Sequence, residues 1–267
     1  MRELWLQVNS GLASRLRAVI GGIAYCEATG KQLAVDWPFR EPSEELKIFE
    51  PRMSDLWDHP FAERDSGEIW PTGINGSLES DSSIRYRTCH IEDFLHYFAE
   101  PIGRYLGRMT PSSVVQKEIG TVCVPGNSPF VGVNIRYSLK QDNAADPDWF
   151  IQRMRQFPAN VQFFGSFDSE LVFREVESAF PGRIQTTQKT YRYDFMGIVR
   201  TCADLYILQK CDWVIGSNHS SYSQMAAFMR GAEYVGPHDK PNGLRGGRYE
   251  DMWNPPDESE LEKAIAK

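Results

Sequence analysis

What this chain of 267 residues lacks narrows the possibilities first. It has no run of the ~20 apolar residues that a membrane-spanning helix needs. Met1-Arg2-Glu3-Leu4-Trp5-Leu6-Gln7-Val8 enters a strand pattern directly, with no signal-peptide core, so a cytoplasmic protein without a transmembrane segment is expected. No basic stripe accompanies the formal net charge of -7, which disfavours nucleic acid as a partner while leaving room for a local phosphate pocket. The five cysteines (Cys26, Cys89, Cys123, Cys202, Cys211) are odd in number and show no C-x-x-C spacing. They read as packed, reduced thiols rather than a disulfide or zinc framework. His59, His90, His96, His219 and His238 form no metal-ligand motif. Asp142, Asp146 and Asp148 lack the EF-hand pattern and read as a solvated loop with a helix cap, so no metal or other cofactor is expected. G-x-G-x-x-G and G-x-S-x-G are both missing, which argues against a dinucleotide site and a hydrolase nucleophile elbow.

What is present is an alternation of strand and helix patterns in a chain of ordinary globular composition, 41% hydrophobic and 24% charged. Leu4 to Val8 predicts a strand, and Leu12, Leu16, Val19, Ile20 and Ile23 recur at helical spacing. Gly30 closes that helix, and Leu33 to Trp37 predicts a second, parallel strand. The stretch from Pro38 to Asp81 reads as irregular, and His90 to Leu106 as helical. Pro125-Gly126-Asn127-Ser128-Pro129 is the clearest boundary signal. Beyond it strands are predicted at Phe130 to Arg136, Val161 to Gly165, Arg183 to Thr186, Trp213 to Gly216 and Glu233 to Gly236. Helices are predicted between them, and Asp257 to Lys267 reads as a terminal amphipathic helix. The fold class is therefore α/β, with two Rossmann-like halves facing a cleft. An N-terminal half over 1–108 and a C-terminal half over 109–267 are expected.

Three turns carry the candidate chemistry. Gly11-Leu12-Ala13-Ser14-Arg15 sits at a strand-to-helix turn, where bare N–H groups suit an anion, although every βαβ unit needs such a turn. Val131 to Arg136 ends an apolar strand in an arginine. Strand alternation sends Asn134 and Arg136 to one side, and Lys140 follows in the loop. A guanidinium there either grips a phosphate bidentately or pairs with a carboxylate such as Asp204. Ser217-Asn218-His219-Ser220-Ser221-Tyr222 again joins a strand to a helix, either as an anion cradle or as a plain N-cap. Trp37, Trp57 and Trp70 read equally as a sugar-stacking floor or as buried core.

As a set, these segments resemble the fucosyltransferase-like superfamily, which includes the nodulation and core α-1,6-fucosyltransferases and the protein O-fucosyltransferases. Gly11 to Leu16 followed by Leu33-Ala34-Val35-Asp36-Trp37 is similar to the family's opening. Val131-Gly132-Val133-Asn134-Ile135-Arg136 is similar to its Val-Gly-Val-His-x-Arg strand. Asp204-Leu205-Tyr206-Ile207-Leu208 with Ser220-Ser221-Tyr222 is similar to its last motif. The resemblance implies a GT-B architecture and inverting, metal-independent transfer of a sugar, fucose favoured, from a GDP-sugar to a glycan, peptide or small-molecule acceptor. It implies Arg136 as the catalytic counter-charge to the leaving diphosphate. It also implies donor contacts from Asn134, Ser220 and Ser221, with Asp204 accepting from guanine, and the turns themselves add Gly11, Ser14, Lys140, Ser217 and Tyr222 to the donor-binding candidates. Asn134, Tyr137, Leu139 and Ser14 depart from the family's histidine, arginine, aspartate and asparagine. Those departures keep open a UDP- or dTDP-sugar donor, or a non-catalytic nucleotide- or glycan-binding protein. Glu27, Asp36 and His219 are the candidates for the acceptor's base.

Overall fold

The structure is a computed structural model. It describes residues 2–8, 11–37, 52–64, 73–75, 83–88, 94, 97–99, 104–105, 107–123, 129–137, 146–187, 195–217, 220, 222–223, 225–226 and 233–235. The chain divides into two compact units, Met1–Gln116 with Tyr193–Cys202, and Lys117–Arg192 with Ala203–Lys267. Residues 109–116, counted with the C-terminal half in the sequence reading, group with the first unit.

The first unit opens as its sequence predicts. Strand β1 (Glu3–Val8) leads into helix α1 (Leu12–Thr29) and strand β2 (Gln32–Asp36). Leu4, Leu6 and Val8 alternate onto the face that α1 covers with Leu16, Val19, Ile20 and Ile23, all buried. Helix and sheet lie close because Gly22 has no side chain: a Cβ there would stand 2.8 Å from Leu6 Cδ2. Gly30 ends the helix at φ 68°, a left-handed conformation that glycine adopts without strain.

The region expected to be irregular carries structure of its own. It holds a short helix α2 (Met53–Leu56) and strands β3 (Trp57–Asp58), β4 (Ala62–Arg64) and β5 (Gly73–Asn75). Strand β6 (Ile84–Thr88) follows, in a stretch to which the sequence reading assigned no element. Ile-Arg-Tyr-Arg-Thr alternates with period two, burying Ile84, Tyr86 and Thr88, yet its arginines disguise a strand paired in parallel with β1. The sheet order is β4-β2-β1-β6-β5, parallel except for β5 at its edge. Strand β7 (Thr110–Pro111) pairs antiparallel with β3, and helix α3 (Ser113–Ile119) follows. Trp37 and Trp57 are buried against each other edge to face, with ring centroids 5.5 Å apart. The core reading holds for both, while Trp70 lies outside the described residues.

The second unit is a five-stranded, wholly parallel sheet. Its elements are β8 (Phe130–Ile135), helix α4 (Pro147–Met154), β9 (Gln162–Phe167), helix α5 (Glu170–Ala179), β10 (Ile184–Gln185), helix α6 (Phe195–Lys210, of which Phe195–Cys202 groups with the first unit), β11 (Trp213–Gly216) and β12 (Glu233–Val235). The strand order is β10-β9-β8-β11-β12. Asp146 accepts the Asp148 N–H at the start of α4, so this acidic pair is the helix cap that the sequence implied.

Each face of β8 has its own helical cover. Val131, Val133 and Ile135 join Phe163, Phe167 and Ile215 in one core with Phe150 and Met154 of α4 and Val172 and Val176 of α5. Burying each such aliphatic side chain is worth about 1.5–3 kcal/mol, which makes β8 the anchor of the sheet. Gly132 and Asn134 face the other way, toward α6. A Cβ on Gly132 would stand 2.6 Å from Leu208 Cδ2, so α6 lies directly on the strand.

Candidate functional site

Counting outward from β8, the second sheet runs 3-2-1-4-5, so the chain reverses direction between β8 and β11. In doubly wound sheets the crevice at the carboxyl ends of such a pair is the natural ligand position, because the two connecting loops part there. β8 delivers Asn134 and Arg136 to this point, and β11 delivers Ser217 and Ser220.

Hydrogen bonds stitch the two strand ends together. Ser217 Oγ accepts the backbone N–H of Arg136 at 2.8 Å and donates to the carbonyl of Asn134 at 3.1 Å. The Ser217 N–H also reaches that carbonyl, at 3.0 Å. Ser220 Oγ donates to Asn134 Oδ1 at 3.2 Å, and Asn134 Nδ2 donates to the carbonyl of Ser166 at 3.2 Å. Asn134, Ser217 and Ser220 are all buried, whereas Arg136 is half-buried. The Ser223 hydroxyl closes the turn on the carbonyl of Ser220 at 3.3 Å, and Tyr222 is buried beside it.

A second polar group lies beneath. Asp204, on α6, is 0% exposed. Its Oδ2 accepts from Ser166 Oγ and its Oδ1 from Thr187 Oγ1, both at 2.6 Å. Ser166 and Thr187 are also buried, and neither stood out in the sequence. A buried carboxyl needs such partners, so the aspartate itself was the available signal that hydroxyls must lie near it. On the other side of β8, Asp168 follows β9 and accepts the Tyr137 N–H at 2.7 Å.

The sequence-derived residues thus fall into three groups. Asn134, Arg136, Asp204, Ser217, Ser220 and Tyr222 belong to the second unit and converge on the β8–β11 edge and the helix that covers it. Gly11 and Ser14 belong to the first unit, at the β1–α1 turn. Gly11 has φ -69° and ψ 165°, and a Cβ there would meet nothing within 4 Å. Packing therefore gives no reason for glycine at this position. Lys140, His219 and Ser221 lie outside the described residues. Of the remaining base candidates, Glu27 forms an ion pair with Arg108 at 3.0 Å, both side chains well exposed. Asp36 is buried at the end of β2, where Gln7 Nε2 donates to its Oδ2 at 2.9 Å.

Among the described residues no cluster of metal-ligating side chains forms, and no helix is long and apolar enough to cross a membrane. Cys26, Cys202 and Cys211 are buried thiols outside any disulfide, and Cys123 is an exposed one.

No protein-family model matches the sequence, and no curated protein sequence does. Solved structures do match. The NodZ α-1,6-fucosyltransferase soaked with GDP-fucose, an enzyme solved also from Bradyrhizobium, aligns at 16% identity over 85% of this chain and 93% of its own, with a TM-score of 0.60. A point mutant of Arabidopsis thaliana FUT1 in complex with GDP aligns at 10% identity over 90% of this chain and 71% of its own, also at 0.60. POFUT1 in complex with GDP aligns at 10% identity over 87% and 98%, at 0.52. With its two largely parallel sheets in this order, the chain has a fucosyltransferase-like fold.

Proposed function

We propose that this chain is a glycosyltransferase taking its sugar, fucose in the first instance, from a guanosine-diphosphate donor with inversion and without a metal ion. The observation that carries this reading is the stitched end of β8. Ser217 holds the Arg136 backbone in place at the switch point of the second sheet, where an anionic ligand is expected. The supporting comparison is that solved structures of this fold include complexes with GDP and a crystal soaked with GDP-fucose.

In this mechanism an acceptor hydroxyl oxygen attacks the anomeric carbon of the donor, and its O–H bond breaks as the proton passes to a base or to water. The carbon–oxygen bond to the diphosphate breaks, and the electron pair leaves with GDP. The barrier is set by the charge that builds on the departing phosphate, and a fixed guanidinium at that point lowers it. Asn134, Ser217 and Ser220 direct their hydrogen bonds inward, onto β8 and each other. They act by holding Arg136 and the turn in register, so little geometry has to be arranged when the donor arrives. Gly11 and Ser14 offer a second anion-binding turn, and Lys140 and Ser221 complete the donor set.

A second reading keeps the fold and changes the donor to a UDP- or dTDP-sugar. Asn134 and Asp204, the residues expected to meet guanine, favour it: both are buried and hydrogen-bonded within the protein. Calorimetric titration with GDP, UDP, dTDP and CDP, followed by donor hydrolysis in EDTA, decides between them. GDP binding at least tenfold tighter than UDP, with turnover in chelator, supports the first reading. Equal GDP and UDP affinity moves the assignment to the second. Tight nucleotide binding without turnover leaves a binding protein.

A further inference from the structure

Two large apolar side chains stand exposed among the described residues, Tyr137 at 45% and Leu171 at 78%. Both lie at the carboxyl edge of the second sheet. Tyr137 follows Arg136 directly, and Leu171 lies in the first turn of α5, three residues after Asp168. Asp168 joins the two loops by accepting the Tyr137 N–H, so the tyrosine backbone is held against the end of β9. Among the described residues the Tyr137 ring stacks on no other ring, and its hydroxyl makes no hydrogen bond.

An exposed aromatic held by its backbone beside a phosphate-binding arginine has a specific use. A nucleoside diphosphate bound at the β8–β11 switch has its phosphates at Arg136 and must extend its base along the sheet edge. On the β11 side Ser217 and Ser220 already occupy the edge. On the β9 side Tyr137 is exposed, one residue beyond Arg136, with its backbone tied to the end of β9 through Asp168. We infer that Tyr137 is the platform on which the donor's base stacks, with Leu171 as an apolar flank.

The inference rests on the nucleotide-sugar reading above and makes a narrower claim about it. Stacking on an aromatic face is indifferent to which base is present, since every base has a π-face. Tyr137 therefore contributes affinity, and discrimination among bases falls to other groups.

The test is calorimetric binding of GDP, UDP and inorganic pyrophosphate to the wild-type chain and to Tyr137→Ala, Tyr137→Phe and Tyr137→Leu, with far-UV circular dichroism to confirm folding. Tyr137→Ala and Tyr137→Leu should weaken GDP about tenfold, within the range for loss of one base–aromatic stack. UDP should fall by a similar factor, and pyrophosphate should stay within twofold. Tyr137→Phe should retain GDP affinity, since the ring and not the hydroxyl is used. Equal losses of GDP and pyrophosphate would overturn the inference by making Tyr137 an organiser of the phosphate end. Unchanged GDP affinity, with or without a raised KM for an acceptor, overturns it while the donor reading stands. If the wild type binds neither GDP nor pyrophosphate, the donor reading fails, and the inference fails with it.

Discussion

Ser217 and Arg136, 81 positions apart in sequence, meet through one hydrogen bond of 2.8 Å from the arginine's backbone N–H to the serine's hydroxyl. The bond acts on the main chain of Arg136, through its N–H, and not on its guanidinium. Backbone position is thereby fixed by β11, and charge is contributed by β8.

Arg136→Ala should abolish sugar transfer, because the departing diphosphate loses its counter-charge. One preorganised contact of this kind is worth about 3–4 kcal/mol of barrier, or some hundredfold or more in rate. Steady-state kinetics on protein with an unchanged unfolding midpoint is the check. A rate within a few-fold of wild type would remove Arg136 from the mechanism.

Alanine at two glycines should separate packing from ligand clearance. Gly132→Ala places a Cβ 2.6 Å from Leu208 Cδ2 and 3.2 Å from Cys211 Sγ, and should cost about 1–3 kcal/mol in urea denaturation. Gly11→Ala has an ordinary extended backbone and open space ahead of it. It should leave stability unchanged to about 0.5 kcal/mol and raise the KM for the donor. Normal kinetics for Gly11→Ala would exclude the turn from the donor site.

Asp204→Ala should destabilise the second unit strongly. Leaving a buried hydrogen-bonding group without its partner costs about 1–3 kcal/mol, and this change orphans the hydroxyls of Ser166 and Thr187 together. A loss of about 3 kcal/mol or more in urea denaturation is expected. A loss below 1 kcal/mol would mean that water or a neighbour readily replaces the carboxyl group.

His59 should contribute to acid sensitivity. Its ring is half-buried and stacked on Phe61, with centroids 5.5 Å apart. Burial holds its pKa below the ordinary 6.5, against the opposing pull of the Glu63 and Asp58 carboxylates. The unfolded chain therefore takes up this proton at a higher pH than the folded one. Stability is intact above pH 6.5 and falls as pH drops from there toward the lower folded-state value. His59→Phe should make the acid limb of a stability–pH curve shallower, and an identical limb would assign the acid response to other groups.

Iodoacetamide at neutral pH should label Cys123 and spare Cys26, Cys202 and Cys211. Burial pushes the Cys26 thiol up to about 12, so almost no thiolate forms there. Peptide mass mapping of the native protein reads this directly, and rapid labelling of Cys26 would mean that α1 opens easily.

The second unit was legible in its sequence because its central strands β8, β9 and β11 are largely apolar runs, as a parallel sheet covered on both faces requires. The Ser217–Ser220 turn and Arg136 were legible for the same reason, as polar residues that end such runs. Ile84 to Thr88 was not, because arginine alternates with the buried positions and no apolar run stands out. Ser166 and Thr187 were also silent. Their importance comes from a contact with Asp204 at separations of 38 and 17 residues, which no local pattern encodes. The direction of the Ser217 and Ser220 hydroxyls, inward onto Asn134, was equally beyond a reading by residue type.

The strand order of the second unit also sets a timetable. β8 is the first of its five strands to leave the ribosome, yet its partner β11 is some eighty residues behind it. Until Trp213–Gly216 emerges, one edge of Phe130–Ile135 has nothing to pair with, and an apolar strand in that condition is prone to stick to others. Closure of such a distant pair is slow compared with helix formation. Nascent chains stalled before residue 213 should therefore need chaperone protection that the finished protein does not.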